Sequence, residues 1–519
     1  MGSCGNVKGR RSALRFAAHP KSVRRYLIGV DIGTQGTKAA LVDEQLKVVC
    51  TAFETSRLLR GQTGEIWQEP EAIFQSCIRT IRELMTISKA ERTSVQAIGI
   101  DSQMAGIMGI DETGEASTCY DSWLDTRCRE FVPFMEREAG TDILRYSGGP
   151  VTCNHATKIL WWKHHHPDAY KNTAKFVLPH GYVTGKLTGN CAGNAVFDYT
   201  CLHFNSFGNN EKKCWNEDIL EHFGVEVKKM PRIVSPFEVV GKLTRQFADE
   251  TGLQEGVPVI AGLGDSAAST FGSGMYENGK VLDCAGTASI MCSVVDTYIP
   301  DEKNRTFVMM RSPIDGLWLP LSYIGGGGMC IRWFRDQLSG NPVMHYDVLE
   351  EEAKQIVPGS DELLFCPHFS GRVLPPSPEL KGAFIGLDFN HTRAHMYRSV
   401  LESIAYEYAG YLQILKDNFK AENFEKLDVI GGGSKCRLFN QIKADVLQVP
   451  VETYEMGETA LIGSAAVAGM AIGMTEDYRA KISKSIRRQM YFEPDEKSGQ
   501  IYQAKVSQYK EMLKILGAR

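Results

Sequence analysis

Apolar and polar positions along this chain fall into short β-type runs and longer helical stripes. Residues 26–30 and 38–42 are apolar, β-prone runs joined by a Gly/Thr turn, which predicts strand, tight turn, strand. Between Pro70 and Met85 the period lengthens. Ile73, Cys77, Ile78, Ile81, Leu84 and Met85 share one face, and Pro70 stands near the start of the predicted helix. Ala97-Ile-Gly-Ile-Asp101 and Ile107-Met-Gly-Ile-Asp111 predict two short strands around a bend at 103–106. Val257-Pro-Val-Ile-Ala-Gly262 predicts another, leading to Gly264-Asp265-Ser266. Residues 281–284 and 290–295 then flank a second Gly/Thr turn, Ala285-Gly-Thr-Ala-Ser289. A helix is expected over 395–416, with Met396, Val400, Ile404, Tyr408, Leu412 and Leu415 in one stripe. Leu427-Asp-Val-Ile430 reads as a strand feeding Gly431-Gly-Gly-Ser434, and Val506, Tyr509, Leu513 and Leu516 mark a closing helix. The repeated strand–turn–strand unit suggests a duplicated α/β fold in which each half presents one such turn. No Pro/Ser-rich linker is visible, so the halves are expected to pack directly, meeting near residues 265–280.

Length and charge narrow the picture. At 519 residues the chain exceeds one ordinary core. The expected division is a basic, disordered extension over 1–24, an N-terminal domain over 25–270 and a C-terminal domain over 271–519. A hydrophobic fraction of 43% with 23% charged residues is that of a soluble globular protein. The balance of 58 basic against 62 acidic residues offers no electrostatic case for nucleic acid. No apolar run approaches the roughly 18 residues that a membrane span needs. The 14 cysteines contain no Cys-x-x-Cys pair, so they are expected to be reduced, mostly buried thiols of a cytoplasmic protein. Lys8, Arg10, Arg11, Arg15, Lys21, Arg24 and Arg25 form a basic stretch that also fits a targeting peptide or a phosphate-seeking arm. Three consecutive histidines, 164–166, cannot converge on one ion from a helix and read as solvated surface.

The turns carry the candidate chemistry. Gly33, Thr34, Gly36 and Thr37 let backbone approach a ligand closely, and successive N–H groups there can cradle an anion. Lys38 could neutralise phosphate charge, and Asp31, at the strand exit, is placed to hold Mg²⁺ directly or through water. An ordinary β-hairpin is the alternative. Gly286 and Thr287 offer a second cradle from the other half. Asp265, at a strand end, reads either as a general base or as the N-cap of a helix. Gly431, Gly432, Gly433 and Ser434 could admit a flat adenine. Gly325-Gly-Gly-Gly328 is weaker evidence and reads as a flexible bend before a helix holding Trp333 and Phe334.

Taken in order, these segments resemble the FGGY family of carbohydrate kinases, from about residue 26 to about 470. Asp31-Ile-Gly-Thr-Gln-Gly-Thr-Lys38 resembles its first phosphate motif, Ala285-Gly-Thr287 its second and Gly431-Gly-Gly-Ser434 its adenosine motif. Trp123-Leu-Asp-Thr-Arg127, Lys158-Ile-Leu-Trp-Trp162 and the segment from Leu178 to Gly189 are similar to its sugar-side elements, and Gly264-Asp265-Ser-Ala-Ala268 to its catalytic stretch. The resemblance implies two RNase H-like domains of the actin/hexokinase/Hsp70-like ATPase type with an interdomain cleft. It also implies ATP and Mg²⁺ as cofactors, a small sugar or polyol as acceptor, and Asp265 as general base. Gln103, Met104, Ala105, Trp123 and Asp125 would face the acceptor. No nucleic-acid or membrane partner is implied, and a homodimer is one assembly it allows. The pattern is nearest to xylulose kinases, including the Trp333-Phe-Arg-Asp336 segment. It departs from them at Ala105, where those enzymes carry His, and at Gly181, where Asp is usual. The readings left open are D-xylulose, another ketose, a tetritol, an aldonate or a sugar-like signal, and a non-catalytic nucleotide- and sugar-binding regulator. Retention of both Asp31 and Asp265 speaks against the last.

Overall fold

The computed structural model describes residues 24–419, 424–455 and 457–517. The basic N-terminal extension lies outside the described residues. Two seven-stranded mixed sheets form the centre. The first contains β1 (Tyr26–Ile32), β2 (Gly36–Asp43), β3 (Val48–Thr55), β4 (Val95–Ser102), β5 (Val239–Lys242) and β6 (Pro258–Ile260), in the order β5-β6-β4-β1-β2-β3. The two-residue strand Leu263–Gly264 also pairs with β4. The second contains β7 (Val281–Ala285), β8 (Ser289–Ser293), β9 (Val308–Arg311), β10 (Trp318–Ile324), β11 (Leu427–Ile430), β12 (Val451–Glu455) and β13 (Arg487–Phe492), in the order β9-β10-β8-β7-β11-β12-β13.

Strand directions repeat between the sheets. β1 is antiparallel to β2 and parallel to β4, as β7 is to β8 and β11. A further parallel strand and an antiparallel edge strand follow in both, β6 with β5 and β12 with β13. The duplication read from the two Gly/Thr turns is therefore present in the fold. β1 and β4 are buried along almost their whole length, as strands covered on both faces must be.

Helix α1 (Pro70–Ser88) carries proline in its first turn, buries the stripe predicted for it and ends at Lys89, whose φ is 53°. The elements used below are α2 (Pro179–Thr188), α3 (Asp265–Gly272), α4 (Gly327–Leu338), α5 (Arg393–Phe419), α6 (Arg437–Leu447), α7 (Thr459–Ala471) and α8 (Glu496–Ile515). The halves join where α3 meets α7. A Cβ on Gly272 would stand 2.0 Å from the Thr459 carbonyl, and one on Gly463 2.1 Å from that of Ala268, so the two backbones touch. The sequence placed one side of this joint near 265–280 but gave no sign of α7. That helix is buried over most of its length, from Leu461 to Gly469, and a helix covered all round has no amphipathic period to read.

One strand expectation is corrected. The run at 107–111 forms only Met108–Ile110, and it leaves the main sheet to pair with Lys175–Val177. The tight bend before it turns at Ala105, whose φ is 61°, and this redirects the chain.

Candidate active site

β1 brings Asp31 to the end of the first sheet, and the parallel register sets it opposite Asp101 on β4. Ser464 Oγ, from α7 in the other half, donates to Asp101 Oδ2 at 2.5 Å. Burial raises the Asp101 pKa well above the usual carboxylate range, and the neighbouring Asp31 charge adds to it. Asp31 is raised as well, first by burial and then by the Glu458 charge, against the opposing hydrogen bond of Asp101 and the charge of Lys38. Ionisation of the two carboxyls is thus coupled and disfavoured by burial. Lys38 Nζ makes an ion pair with Glu458 Oε1 at 2.5 Å across the two halves.

At the turn itself, Gly33 N donates to Gly36 O at 3.0 Å, closing a narrow loop. Thr34 stands at its tip, donating to Gln103 Oε1 (3.2 Å) and accepting from Trp123 Nε1 (2.9 Å). Thr37 points the other way. Its hydroxyl is buried against Ser76 Oγ of α1 at 2.6 Å, because alternation along β2 turns it to the helix-covered face. With its hydroxyl taken by Ser76, Thr37 offers the turn its backbone.

Asp265 is the first residue of α3, with Gly264 at the N-cap position. Its carboxylate accepts from Ser266 N (2.6 Å) and Ser266 Oγ (3.2 Å) and caps no later turn of the helix, so the N-cap reading is not what the fold contains. Burial pushes its pKa up to about 7, with the Asp31 charge adding and the Ser266 bonds opposing. Electrostatics therefore couple the strand-end carboxyl of β1 to that of the α3 start.

The second half presents its turn in a similar way. Gly286 N donates to Ala288 O at 3.1 Å between β7 and β8. The Gly325-Gly-Gly-Gly328 stretch is more than a flexible bend. Gly328 N and Met329 N donate to Gly286 O (3.2 Å) and Thr287 O (2.7 Å), and a Cβ on Gly328 would fall 2.2 Å from that Gly286 oxygen. These glycines bring α4 directly onto the second turn. Gly431, at φ 85°, lets the loop after β11 press against the Ala285 backbone. Ser434 Oγ donates back to Gly431 O at 2.7 Å. Asn440 Nδ2 of α6 holds the same loop through the carbonyls of Ser434 (3.0 Å) and Cys436 (2.8 Å). Sequence reasoning missed Asn440, Glu458 and Ser464. None sits inside a glycine turn, and each acts on a partner that only the fold brings near.

On the acceptor side, Gln103 N donates to Ile32 O (3.0 Å) and its Nε2 to Gln68 Oε1 (2.7 Å). Met104 packs on Gly264, whose Cβ would lie 2.6 Å from the Met104 sulfur, so it touches the residue before Asp265. Trp123 is 42% exposed. Asp125 is different. It is fully buried, accepts from Ile66 N (2.7 Å) and Arg127 N (3.0 Å), and pairs with Arg127 Nη2 at 2.6 Å. Through these bonds Asp125 fastens the loop that presents Trp123. Lys158 is also buried, donating to the carbonyls of Asp125 (3.2 Å) and Cys153 (2.5 Å). His165 pairs with Glu130 at the surface at 2.7 Å, and no metal-ligating cluster of histidine, cysteine or carboxylate occurs among the described residues.

Residues 26–272 match the model of the FGGY family of carbohydrate kinases, N-terminal domain, and residues 289–472 that of the C-terminal domain. The xylulose kinase of Bacillus subtilis is 26% identical over 94% of this chain and 96% of its own. The gluconokinase of the same organism is 25% identical over 88% and 89%. The solved structure of ligand-bound xylulose kinase from Lactobacillus acidophilus superposes with a TM-score of 0.88 at 22% identity, covering 95% of this chain and 99% of that one. That likeness bears on the fold alone.

Proposed function

This chain belongs to the FGGY family of carbohydrate kinases, and within that family we propose that it phosphorylates a ketopentose of the D-xylulose type, with Asp265 as general base. The chain is a sugar kinase, a phosphotransferase that uses ATP and a divalent metal. The observation that carries the finer reading is the Asp265 carboxylate at the start of α3, next to the Gly264 on which Met104 packs, its pKa pushed up to about 7 by burial. A base of that pKa is half ionised at neutral pH and readily accepts a proton.

In the transfer, the acceptor hydroxyl oxygen forms a bond to the γ-phosphorus as the bond to the ADP oxygen breaks, and the hydroxyl proton passes to Asp265. The turn at 33–37 and the turn at 286–287 cradle the phosphates with backbone N–H groups, and most of the acceleration comes from positioning and charge neutralisation. Asp31 and Asp101 form an all-oxygen pair suited to a hard cation, and we assign Asp31 to Mg²⁺. When bound, the ion neutralises phosphate charge.

Acceptor choice follows from the same residues. Gln103, Met104, Ala105 and Trp123 carry no charge, and the nearby cations Arg127 and Lys158 are committed to Asp125 and to backbone carbonyls. A neutral ketose fits that lining better than an aldonate, whose carboxylate would need a free cation. The test is ADP release with Mg-ATP against ketopentoses, aldopentoses, tetritols, hexonates and glycerol. Strong turnover of D-xylulose supports the proposal, and preferential turnover of gluconate overturns the acceptor reading.

A further inference from the structure

A chain of buried polar groups runs from the acceptor-side strand to the residue preceding Asp265. Ser102 Oγ, at the end of β4 and next to Gln103, lies 2.7 Å from His180 Nδ1. His180 Nε2 lies 2.9 Å from Asp198 Oδ2. Asp198 Oδ1 accepts from Thr200 N at 2.9 Å and from the Thr200 hydroxyl. The Thr200 hydroxyl in turn accepts from Gly264 N at 3.1 Å. Ser102, His180, Asp198 and Thr200 are each at most 2% exposed.

Proton bookkeeping fixes the direction of the bonds from Gly264 to His180. Gly264 N–H can only donate, so the Thr200 hydroxyl accepts there and gives its own hydrogen to Asp198. Asp198 is an acceptor throughout, so His180 carries hydrogen on Nε2. In the neutral ring its Nδ1 accepts from the Ser102 hydroxyl. Each group is satisfied, and a network of that kind is stiff. The fold also makes room for it. Gly262 has a φ of 86°, and a Cβ there would meet the His180 ring at 3.2 Å and the Ile100 carbonyl at 2.2 Å. The imidazole is thereby wedged between α2 and the strand that leads into Asp265.

The order Ser, His, Asp invites comparison with a hydrolase triad, but burial excludes it. Ser102 has no access to substrate, and it sits on Nδ1 with Asp198 on Nε2, the reverse of the arrangement a serine nucleophile uses. Nothing reacts here. The network reaches beyond itself at Gly264 N, which donates to Thr200, and more weakly at Gln103 O, 3.5 Å from Ser102 Oγ.

We propose that Thr200, Asp198, His180 and Ser102 form a positioning relay that fixes the Leu263–Gly264 peptide, one residue before Asp265, relative to the acceptor-side end of β4. This rests on the assignment of Asp265 as the base. None of the four touches the reacting atoms. Their effect is to hold the carboxylate at one distance from a hydroxyl bound beside Gln103, where an error of about 1 Å can lower a rate by two orders of magnitude. Thr200 acts directly on Gly264, and His180 orients Asp198 so that Thr200 has a single hydroxyl direction.

Isosteric substitutions test this in the full-length enzyme. Thr200→Val keeps shape and removes the hydroxyl. It is expected to lower kcat roughly tenfold with KM for ATP within about twofold, and Thr200→Ser is expected to recover most of kcat. His180→Gln retains a donor near Nε2 and should stay close to wild type. His180→Asn retains only the Nδ1 side and should behave like Thr200→Val. Melting temperatures are measured alongside. Wild-type kcat in Thr200→Val overturns the relay, as does a loss that Ser does not rescue or that tracks a lowered melting temperature. Asp265→Asn separates the two proposals. If it retains turnover, the base assignment fails, whereas an inactive Asp265→Asn beside a normal Thr200→Val removes the relay alone.

Discussion

Val30-Asp31-Ile32-Gly33-Thr34 and Leu282-Asp283-Cys284-Ala285-Gly286-Thr287 bring an aspartate close to the end of the central strand in each sheet, and the two carboxylates meet opposite fates. Asp283 is fully buried and neutralised by Lys443 Nζ at 2.7 Å, itself fully buried, with the Tyr408 hydroxyl donating at 3.0 Å. Asp31 keeps no cation of its own. Lys38 is engaged by Glu458, and the register gives Asp31 another acid, Asp101, as its neighbour. One sheet end spends its aspartate on cohesion. The other retains it as unmatched negative charge beside a phosphate-type turn, where a cation would relieve it. Local sequence is nearly the same in both, so the difference lies in what a distant helix supplies.

The largest expected effect lies at the residue that this unmatched charge tunes. Asp265→Asn should lower kcat about 10³-fold while ATP and sugar binding persist. Calorimetry for binding and coupled ADP release for turnover check both parts, and full activity would remove the base. The next effect separates the two strand-end aspartates. Asp283→Asn leaves Lys443 buried and charged, and should cost about 3 kcal/mol or more of stability. Asp283→Leu with Lys443→Met should recover most of that. Asp31→Asn should lose about 10²-fold in kcat with an unchanged or raised melting temperature, since it removes repulsion with Asp101. Denaturation curves that show equal destabilisation in Asp31→Asn and Asp283→Asn would break the comparison.

A smaller effect sharpens it through pH. The Asp265 pKa is pushed up to about 7, by burial first and by the Asp31 charge second. The active form is the deprotonated one, so kcat/KM should fall about tenfold per unit as pH drops below about 7. Removing the Asp31 charge takes away one of the causes that raise the pKa. The residual activity of Asp31→Asn should therefore show its limb at lower pH than wild type. A limb that stays in place would mean that Asp31 does not act on Asp265 electrostatically.

Much of the architecture was legible because the duplication is written in local pattern. Two strand–turn–strand units with glycine turns suggested two equivalent sheets, and the α1 stripe gave its buried face directly. Local pattern likewise placed Asp31 on a strand and Thr34 and Gly286 in turns. What escaped was everything set by a remote partner. Nothing near Thr37 signals that Ser76 will take its hydroxyl. Nothing near Asp125 shows that Ile66 N will donate to its carboxylate, or that α7 will deliver Glu458 and Ser464 to the first sheet. Motif spacing identifies a residue type at a place in the chain, whereas the direction of its side chain depends on the strand face and on the element packed against it.

The smallest predicted change tests the acceptor side, where the backbone has its own say. Ala105 lies at φ 61°, a left-handed conformation that β-branched side chains resist and that histidine adopts more readily than most. It follows Met104, which packs on Gly264, the residue before the base. Ala105→His would restore a hydrogen-bonding group to a lining that is otherwise neutral, at little conformational expense. Its expected effect is a few-fold rise in kcat/KM for D-xylulose relative to tetritols and glycerol, because one matched hydroxyl is worth about 1 kcal/mol. Steady-state kinetics on the same panel would measure it. A uniform change across all acceptors would show that position 105 acts on the turn and not on recognition, and specificity would then be sought at Gln103 and Trp123.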